Sequence, residues 1–240
     1  MTPAIGLRPL RLACIDSEAP PLFHRTPDGR TRTGYEPDAA SLVAGRLGRD
    51  VEWVFLPWDQ LLVAVTDGRA DAVWCGQGVT PERAAQVDFT RPYAVFGETL
   101  VVRSGDPARA PEDLAGYRIG AIEGSINEKL ARTFPGIELV GFGSSDDVFG
   151  DMIAATRDGT IDGFVDDDVV NVPLVEDDPD LIQAFDGGTR NPWAAGVRPG
   201  DDELRLAIDG ALDATIADGS LAEAWTRWMP SLPFPLVPAR

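Results

Sequence analysis

Short apolar runs alternate with helix-forming stretches twice over in this chain of 240 residues, and that alternation limits the fold more than any single residue does. The first series has an apolar run at 10–15, then apolar residues at helical spacing over 37–47 (Ala40, Val43, Ala44, Leu47) with Gly48 as a stop. A run at 51–55, a helix over 58–67 closed by Gly68 and a run at 70–75 complete it, and residues 26–34 carry hairpin-turn chemistry around Asp28 and Gly29. Thr80 followed by Pro81 starts a further helix, Thr as cap and Pro at the first helical position. The second series predicts strands at 98–103, 117–122, 137–140 and 161–165, with helices over 111–115, 127–134 and 146–157. The tail adds a strand at 194–198 and helices over 201–217 and 221–228. Strands alternating with helices predict an α/β fold with an open, mostly parallel sheet and helices on its faces. Two series and a C-terminal return predict two lobes, 8–94 plus 195–240 and 95–194.

Charge narrows the function. There are 39 Asp+Glu against 21 Lys+Arg, a formal net charge of −18. A surface that acidic repels phosphate backbones and anionic membranes, so nucleic acid and membrane are not expected as partners. His24 is the only histidine and Lys129 the only lysine, so no multi-histidine metal site exists and a Schiff-base cofactor has one possible anchor. No cofactor or metal is expected. Cys14 and Cys75 both fall in strand-like apolar runs and read as buried thiols or as a disulfide. The first sixteen residues lack the pattern of a secretory leader, and no run of about 18 apolar residues occurs. The expectation is a cytoplasmic protein if Met1 is the native start, or an extracytoplasmic one if a leader has been removed.

In open α/β sheets, ligands bind beyond the carboxyl ends of strands. One such loop carries Asp16. A second carries Gly76, Gln77 and Gly78, with Arg83 about a turn into the helix that follows; a third carries Glu123, Gly124 and Ser125. Backbone N–H groups of the glycine loops and the Arg83 fork suit a carboxylate. Asp166, Asp167 and Asp168 close the strand at 161–165 and suit an ammonium group, and Trp58 suits an apolar ligand part. With no ligand in view, Gly76 and Gly78 make a turn and Arg83 pairs with Glu82 or Asp88. Asp166–Asp168 are then a solvated loop or the cap of a helix from Val169 onward, and Trp58 packs in the core.

From about Leu10 to Trp228 the chain resembles the polar amino-acid-binding family of periplasmic solute-binding proteins, the substrate receptors of ABC importers. The resemblance is carried by Gly34-Tyr35-Glu36-Pro37-Asp38, Trp58-Asp59-Gln60-Leu61 and Gly68-Arg69-Ala70-Asp71-Ala72. Most strongly it is carried by Val79-Thr80-Pro81-Glu82-Arg83 leading to Val87-Asp88-Phe89-Thr90-Arg91-Pro92-Tyr93. It continues in Leu114 to Gly120, Gly159-Thr160-Ile161-Asp162-Gly163 and Asp218-Gly219-Ser220. The resemblance implies a two-lobed periplasmic-binding-protein-like fold with a ligand cleft between hinged lobes. Arg83 would grip the ligand carboxylate, Asp167 would accept from its ammonium group, and Trp58 would supply an aromatic face. Gly76, Gly78 and Ile126 would sit at backbone contacts, with Ser125 and Glu123 beside them, and Asp16 would stand where some members meet a basic side chain. The implied partners are an amino-acid-like zwitterion and an ABC transporter membrane component, with the chain a monomer. Ala19 stands where the family has an aromatic before Pro-Pro, and Gly76, Gly78 and Ile126 stand where hydroxyl residues are common.

An enzyme of the same fold is the alternative. Residues 124–132 resemble the corresponding loop and helix of cyclohexadienyl dehydratases, but Val170 stands where those enzymes carry a glutamate acid. A catalytic version would draw on Glu123, Asn127, Asp166, Asp167 or Asp168. A stand-alone amino-acid sensor is the third reading.

Overall fold

The computed structural model describes residues 8–16, 18–27, 31–143, 145 and 147–237. The chain first lays down β1 (Leu10–Cys14), β2 (His24–Arg25), β3 (Arg32–Thr33), α1 (Tyr35–Arg46) and β4 (Val51–Phe55). A 3-10 turn at Trp58–Gln60 runs into α2 (Leu61–Thr66), and β5 (Ala72–Val73), α3 (Pro81–Ala84) and β6 (Asp88–Phe96) follow. Next come β7 (Glu98–Arg103), a 3-10 turn at Pro111–Leu114, β8 (Arg118–Ile122), α4 (Ile126–Ala131) and β9 (Glu138–Phe142). Then α5 (Val148–Asp158), β10 (Gly163–Asp167), α6 (Asp168–Asp177), β11 (Leu181–Asp186), β12 (Asn191–Val197), α7 (Asp202–Ala217) and α8 (Ser220–Trp228) complete the chain. The expected hairpin tip at Asp28 and Gly29 and the expected helix start at Asp146 lie outside the described residues.

Two compact units result. One comprises Met1–Asp16, Arg25–Val95 and Pro192–Arg240; the other comprises Ser17–His24 and Phe96–Asn191. The sheet of the first unit has the order β4-β1-β5-β12-β6, with β1 parallel to β4 and β5 and β12 antiparallel to β5. The sheet of the second has the order β11-β7-β10-β8-β9. There β8 is parallel to β10 and β9, and β7 is antiparallel to β10 and β11. The parallel strands come from the two alternating series. The antiparallel ones come from the segments where the chain leaves one unit and enters the other.

Three expectations need correction. Residues 58–67 form a 3-10 turn and then a helix, because Pro57 sets an extended approach and only 61–66 carry helical bonds. Strand β6 is absent from the sequence reading, since Asp88, Arg91 and Pro92 break any alternation along it. Strand β11 is absent as well, and of the two readings left open for the residues after Asp168 the helix from Val169 onward is the one that forms, with Pro173 inside it.

Each unit has its own anchoring. In the first, buried Asp71 collects Arg8 and Arg11 at 2.8 Å and Arg49 at 3.0 Å, fixing the start of β1 against β5. Aromatic rings fill the space beneath. Trp74 stacks on Tyr93 at 4.5 Å, and Tyr35 meets Trp225 edge-on at 5.2 Å; such pairs add about 0.5–1.5 kcal/mol each beyond their buried area. In the second unit Leu100, Val102, Leu114, Ile119, Ala131, Phe134 and Val165 form the core. Asp162, bonded by the backbone and side chain of Arg118 and by Arg103, plays the part that Asp71 plays in the first.

The second sheet is drawn tight at Gly163, where β10 passes β7. A Cβ on Gly163 would stand 2.5 Å from the Val101 carbonyl oxygen and 2.8 Å from Val102 Cγ1. Gly163→Ala is expected to destabilise the protein by about 1–3 kcal/mol, since one contact is backbone and cannot swing aside. Denaturant unfolding measures this, and an unchanged midpoint would contradict so close a strand pairing.

Candidate functional site

The loop after β5 is held from below by a carboxyl group. Glu36, in the first turn of α1, is buried and has no cationic partner among the described residues. Tyr93 donates its hydroxyl to the two Glu36 oxygens at 3.0 and 3.1 Å, and the Gly76 N–H donates to Glu36 Oε1 at 3.0 Å. The Tyr35 hydroxyl in turn donates to the Tyr93 carbonyl at 2.6 Å. Burial pushes the Glu36 carboxyl up to about 8, and burial followed by the Glu36 charge pushes the Tyr93 hydroxyl up. Gly76 adopts φ 55, and a Cβ there would meet the Trp193 ring at 3.3 Å. Its N–H therefore turns inward onto Glu36. That corrects the expectation of a ligand-facing N–H at Gly76.

The rest of the loop gathers around Arg83. Thr80 caps α3 by accepting the Arg83 N–H at 3.2 Å, which fixes where the arginine leaves the helix. Arg83 Nη1 donates to the Gly78 carbonyl at 2.9 Å, and its guanidinium carbon lies 5.4 Å from the centre of a Trp58 ring. Gly78 itself bridges to Trp193 on β12. The structure thus brings Trp58, Gly78 and Arg83 together. Asp16 belongs to a different set: it pairs with Arg32 and, at 3.4 Å, with Arg25. Arg32 is buried with its guanidinium carbon 4.6 Å from the Phe55 ring centre. Two guanidiniums on Asp16 leave it little net attraction for a cation.

In the second unit, Ser125 caps α4 by accepting the Glu128 N–H at 3.0 Å, and Glu128 reaches back to the Gly124 N–H at 2.9 Å. Ile126 opens that helix, half-buried. Glu123 is exposed and folds over Gly141 and Gly143, where added Cβ atoms would come within 2.6 and 2.7 Å of its oxygens. One residue further into α4, buried Asn127 donates Nδ2 to Asp167 Oδ1 at 3.0 Å and to Asp166 Oδ1 at 3.3 Å. The Asp167 N–H also donates to Asp166 Oδ1, at 2.7 Å. Helix α6 begins at Asp168, and Asp167 makes no side-chain capping bond to it. The capping role open to these aspartates is therefore not the one Asp167 performs.

No arginine or lysine among the described residues pairs with Asp166 or Asp167. Burial pushes Asp166 up to about 7, and burial and then the Asp166 charge hold Asp167 well above the carboxylate range. Asp168 donates its N–H to the Gly97 carbonyl at 2.7 Å and stands 3.9 Å from Arg190. Glu98, fully buried, accepts from Asn191 at 2.7 Å, and its other oxygen has no partner. Val170 is buried in α6 and has no proton to give.

A family model of bacterial extracellular solute-binding proteins, family 3, matches residues 11–231. The chain belongs to this family. Among its relatives, the L-arginine-binding protein of Pseudomonas aeruginosa is 28% identical over 225 residues, 88% of this chain and 84% of that protein. An ancestral arginine-binding protein solved with arginine bound superposes at a TM-score of 0.83, with 28% identity over 92% of this chain and 97% of that one. The ancestral amino acid-binding protein AncCDT-1, described as a precursor of cyclohexadienyl dehydratase, has a TM-score of 0.81 and 26% identity over 91% of this chain and 94% of that one. As a solute-binding protein the chain offers polar groups in both of its units, and no helix among the described residues is long and apolar enough to cross a membrane.

Four residues that shape these sets were not singled out from sequence for the role they play. Glu36 and Tyr93 lie inside motifs quoted for the resemblance, yet nothing local says that they meet. Glu98 reads as the polar end of a strand. Asn127 was considered only for catalysis, whereas here it orients two carboxylates.

The Glu36 geometry predicts a pH signature. Its folded carboxyl holds a proton that the unfolded chain releases near the ordinary value of 4.5. Its contribution to stability is therefore complete below that pH and is lost as pH rises toward about 8, by about 1.4 kcal/mol per pH unit. Glu36→Gln cannot ionise, so its Tm is expected to fall less than that of the natural chain between pH 5 and pH 8.5. Parallel Tm–pH curves for the two proteins would show that Glu36 does not hold the proton.

Proposed function

We propose that the protein is an amino-acid receptor, the substrate-binding component of an ABC-type importer, working outside the cytoplasm. The observation that carries this reading is the pair Asp166 and Asp167, oriented by Asn127 and unmatched by any cation among the described residues. A buried carboxylate left unmatched costs the folded state several kcal/mol, so its natural partner is a cation that arrives from solution. Asp167 takes the ligand's α-ammonium group. In the other unit Arg83, steered by Thr80 and resting on Trp58, offers a fork of donors suited to a carboxylate. The Gly78 carbonyl that Arg83 now holds is released or shared when the carboxylate binds.

The named relatives include an arginine-binding protein and a structure bound to arginine, which supports a basic or polar amino acid as ligand. The acidic surroundings of the site favour the same class, since Glu98 and Asp168 add negative charge beside the dyad. Those relatives are binding proteins, and this chain is a binder rather than an enzyme. Val170 at the position of the dehydratase acid agrees with that.

A thermal-shift screen of the natural amino acids tests the reading. A ligand present at about 100 times its Kd adds about 2.7 kcal/mol to the folded state, a rise of several degrees. L-Arginine is the first probe, and calorimetric titration follows any rise. Arg83→Ala and Asp167→Asn are each expected to weaken binding by about 30-fold or more, the effect of about 2 kcal/mol at a buried charged contact. A screen in which no amino acid moves the Tm overturns the proposal.

A further inference from the structure

Asp166 is the unexpected member of this site. One aspartate is enough to accept an ammonium group, yet two consecutive ones converge on a single amide. Asn127 Nδ2 reaches Asp167 Oδ1 at 3.0 Å and Asp166 Oδ1 at 3.3 Å, and Asp166 Oδ1 also takes the Asp167 N–H at 2.7 Å. Their surroundings bring no positive charge to either. From β7 comes Glu98, from α6 come Asp168 and the amide of Asn171, and from β11 comes Asp186, which acts on Glu98 and Asp168. Arg190 faces Asp168 at 3.9 Å, and no arginine or lysine among the described residues forms an ion pair with Asp166 or Asp167.

A second observation points the same way. Asn127 is only 6% exposed and its Oδ1 has no partner; Glu98 is 0% exposed and its Oε2 has none. Buried oxygens without donors, set beside buried Asp166 and half-buried Asp167, are what a cluster of acceptors shows when it awaits a donor-rich cation. Until one arrives, two like charges on neighbouring residues in a dry setting cannot both persist, and a proton is the available counter-ion.

Resting on the reading of Asp167 as the ammonium acceptor, we propose that Asp166 and Asp167 share one proton in the ligand-free protein and surrender it to solvent when the ligand's cation binds. Capture is then an exchange of one cation for one proton, and Asp166 is the residue that makes it so. The bonds balance: one carboxyl O–H breaks, its proton passes to buffer, and the ligand N–H groups take over the freed oxygens. Burial raises Asp166, and burial followed by the Asp166 charge raises Asp167, in keeping with this exchange.

The test has two arms. In the first, ¹³C carboxyl NMR follows the aspartates of the ligand-free natural chain from pH 4 to pH 9. One titration of the dyad near neutrality is expected, and in Asp166→Asn the remaining Asp167 carboxyl ionises at lower pH, since a like charge has been removed. Ionisation of both groups by pH 5 overturns the proposal without any ligand being involved. In the second, L-arginine is titrated calorimetrically at pH 7 in phosphate, HEPES and Tris, whose ionisation heats differ. The slope of apparent enthalpy against buffer heat is expected to report about one proton released by the natural chain and clearly less by Asp166→Asn, whatever the affinity of that variant. Binding with zero slope in the natural chain, or an unchanged slope in Asp166→Asn, overturns the exchange while leaving the amino-acid receptor intact. A dyad that titrates near neutrality while no amino acid binds overturns the receptor reading and the exchange together.

Discussion

Asp166 and Asp167 draw on the same amide donor, Nδ2 of Asn127, and the described part of the chain brings no guanidinium to either. Several other acids of the chain are matched by arginine. Asp71 has three arginines, Asp162 has two, and Asp178 has Arg157, and each is held below the ordinary carboxylate range. Arginine is thus the structural counter-ion of this fold, used wherever a carboxylate ties one strand start or helix end to another. The dyad departs from that pattern, as Glu36 and Glu98 do, with no arginine paired to it among the described residues. The exception is affordable because α4 supplies Asn127 at the right depth and β10 ends where α6 begins, so the two aspartates stand at a strand end with no helix cap to serve.

The fold was largely legible in the sequence, and the reason is periodicity. Strands β4, β7 and β8 and helices α1, α7 and α8 follow apolar patterns of period two or 3.6, or short buried runs with clean stops. What escaped was written in other terms. β6 carries Asp88, Arg91 and Pro92 because it is fixed by tertiary partners: the Asp209 carboxylate takes the Arg91 N–H at 2.6 Å, and Asp88 takes the Gly200 N–H at 2.7 Å. α6, one of two readings left open, keeps a proline in its interior and still forms, since it is held at its start by the Asp168 N–H on Gly97 and by Asn171 on Thr99. Long-range bonds of this kind leave no local trace.

The candidate site divides along the same line. Arg83 is readable because Thr80-Pro81 starts a helix whose first turn must carry it. The aspartates are readable as the end of a strand. The support beneath them is not: Glu36 and Gly76 are 40 residues apart and Asn127 and Asp167 are also 40 apart, and only the fold brings them to hydrogen-bond distance. The inward turn of the Gly76 N–H was unreadable for that reason.

Glu36 and the dyad are both buried acids with raised affinity for protons, yet their surroundings ask opposite things of them. Glu36 sits under aromatic rings and accepts from the Tyr93 hydroxyl and the Gly76 N–H, neither of which carries charge. Nothing there would gain from a cation, so its neutral form is the working form and it serves as a clamp on the loop that carries Gly78 and leads to Arg83. The dyad is ringed by further carboxyl groups and by unpartnered acceptor oxygens, so its neutral form is only a holding state. The difference lies above all in the neighbours. A carboxyl group among donors is satisfied where it stands, whereas a carboxyl group among acceptors is completed only by something the chain does not itself provide.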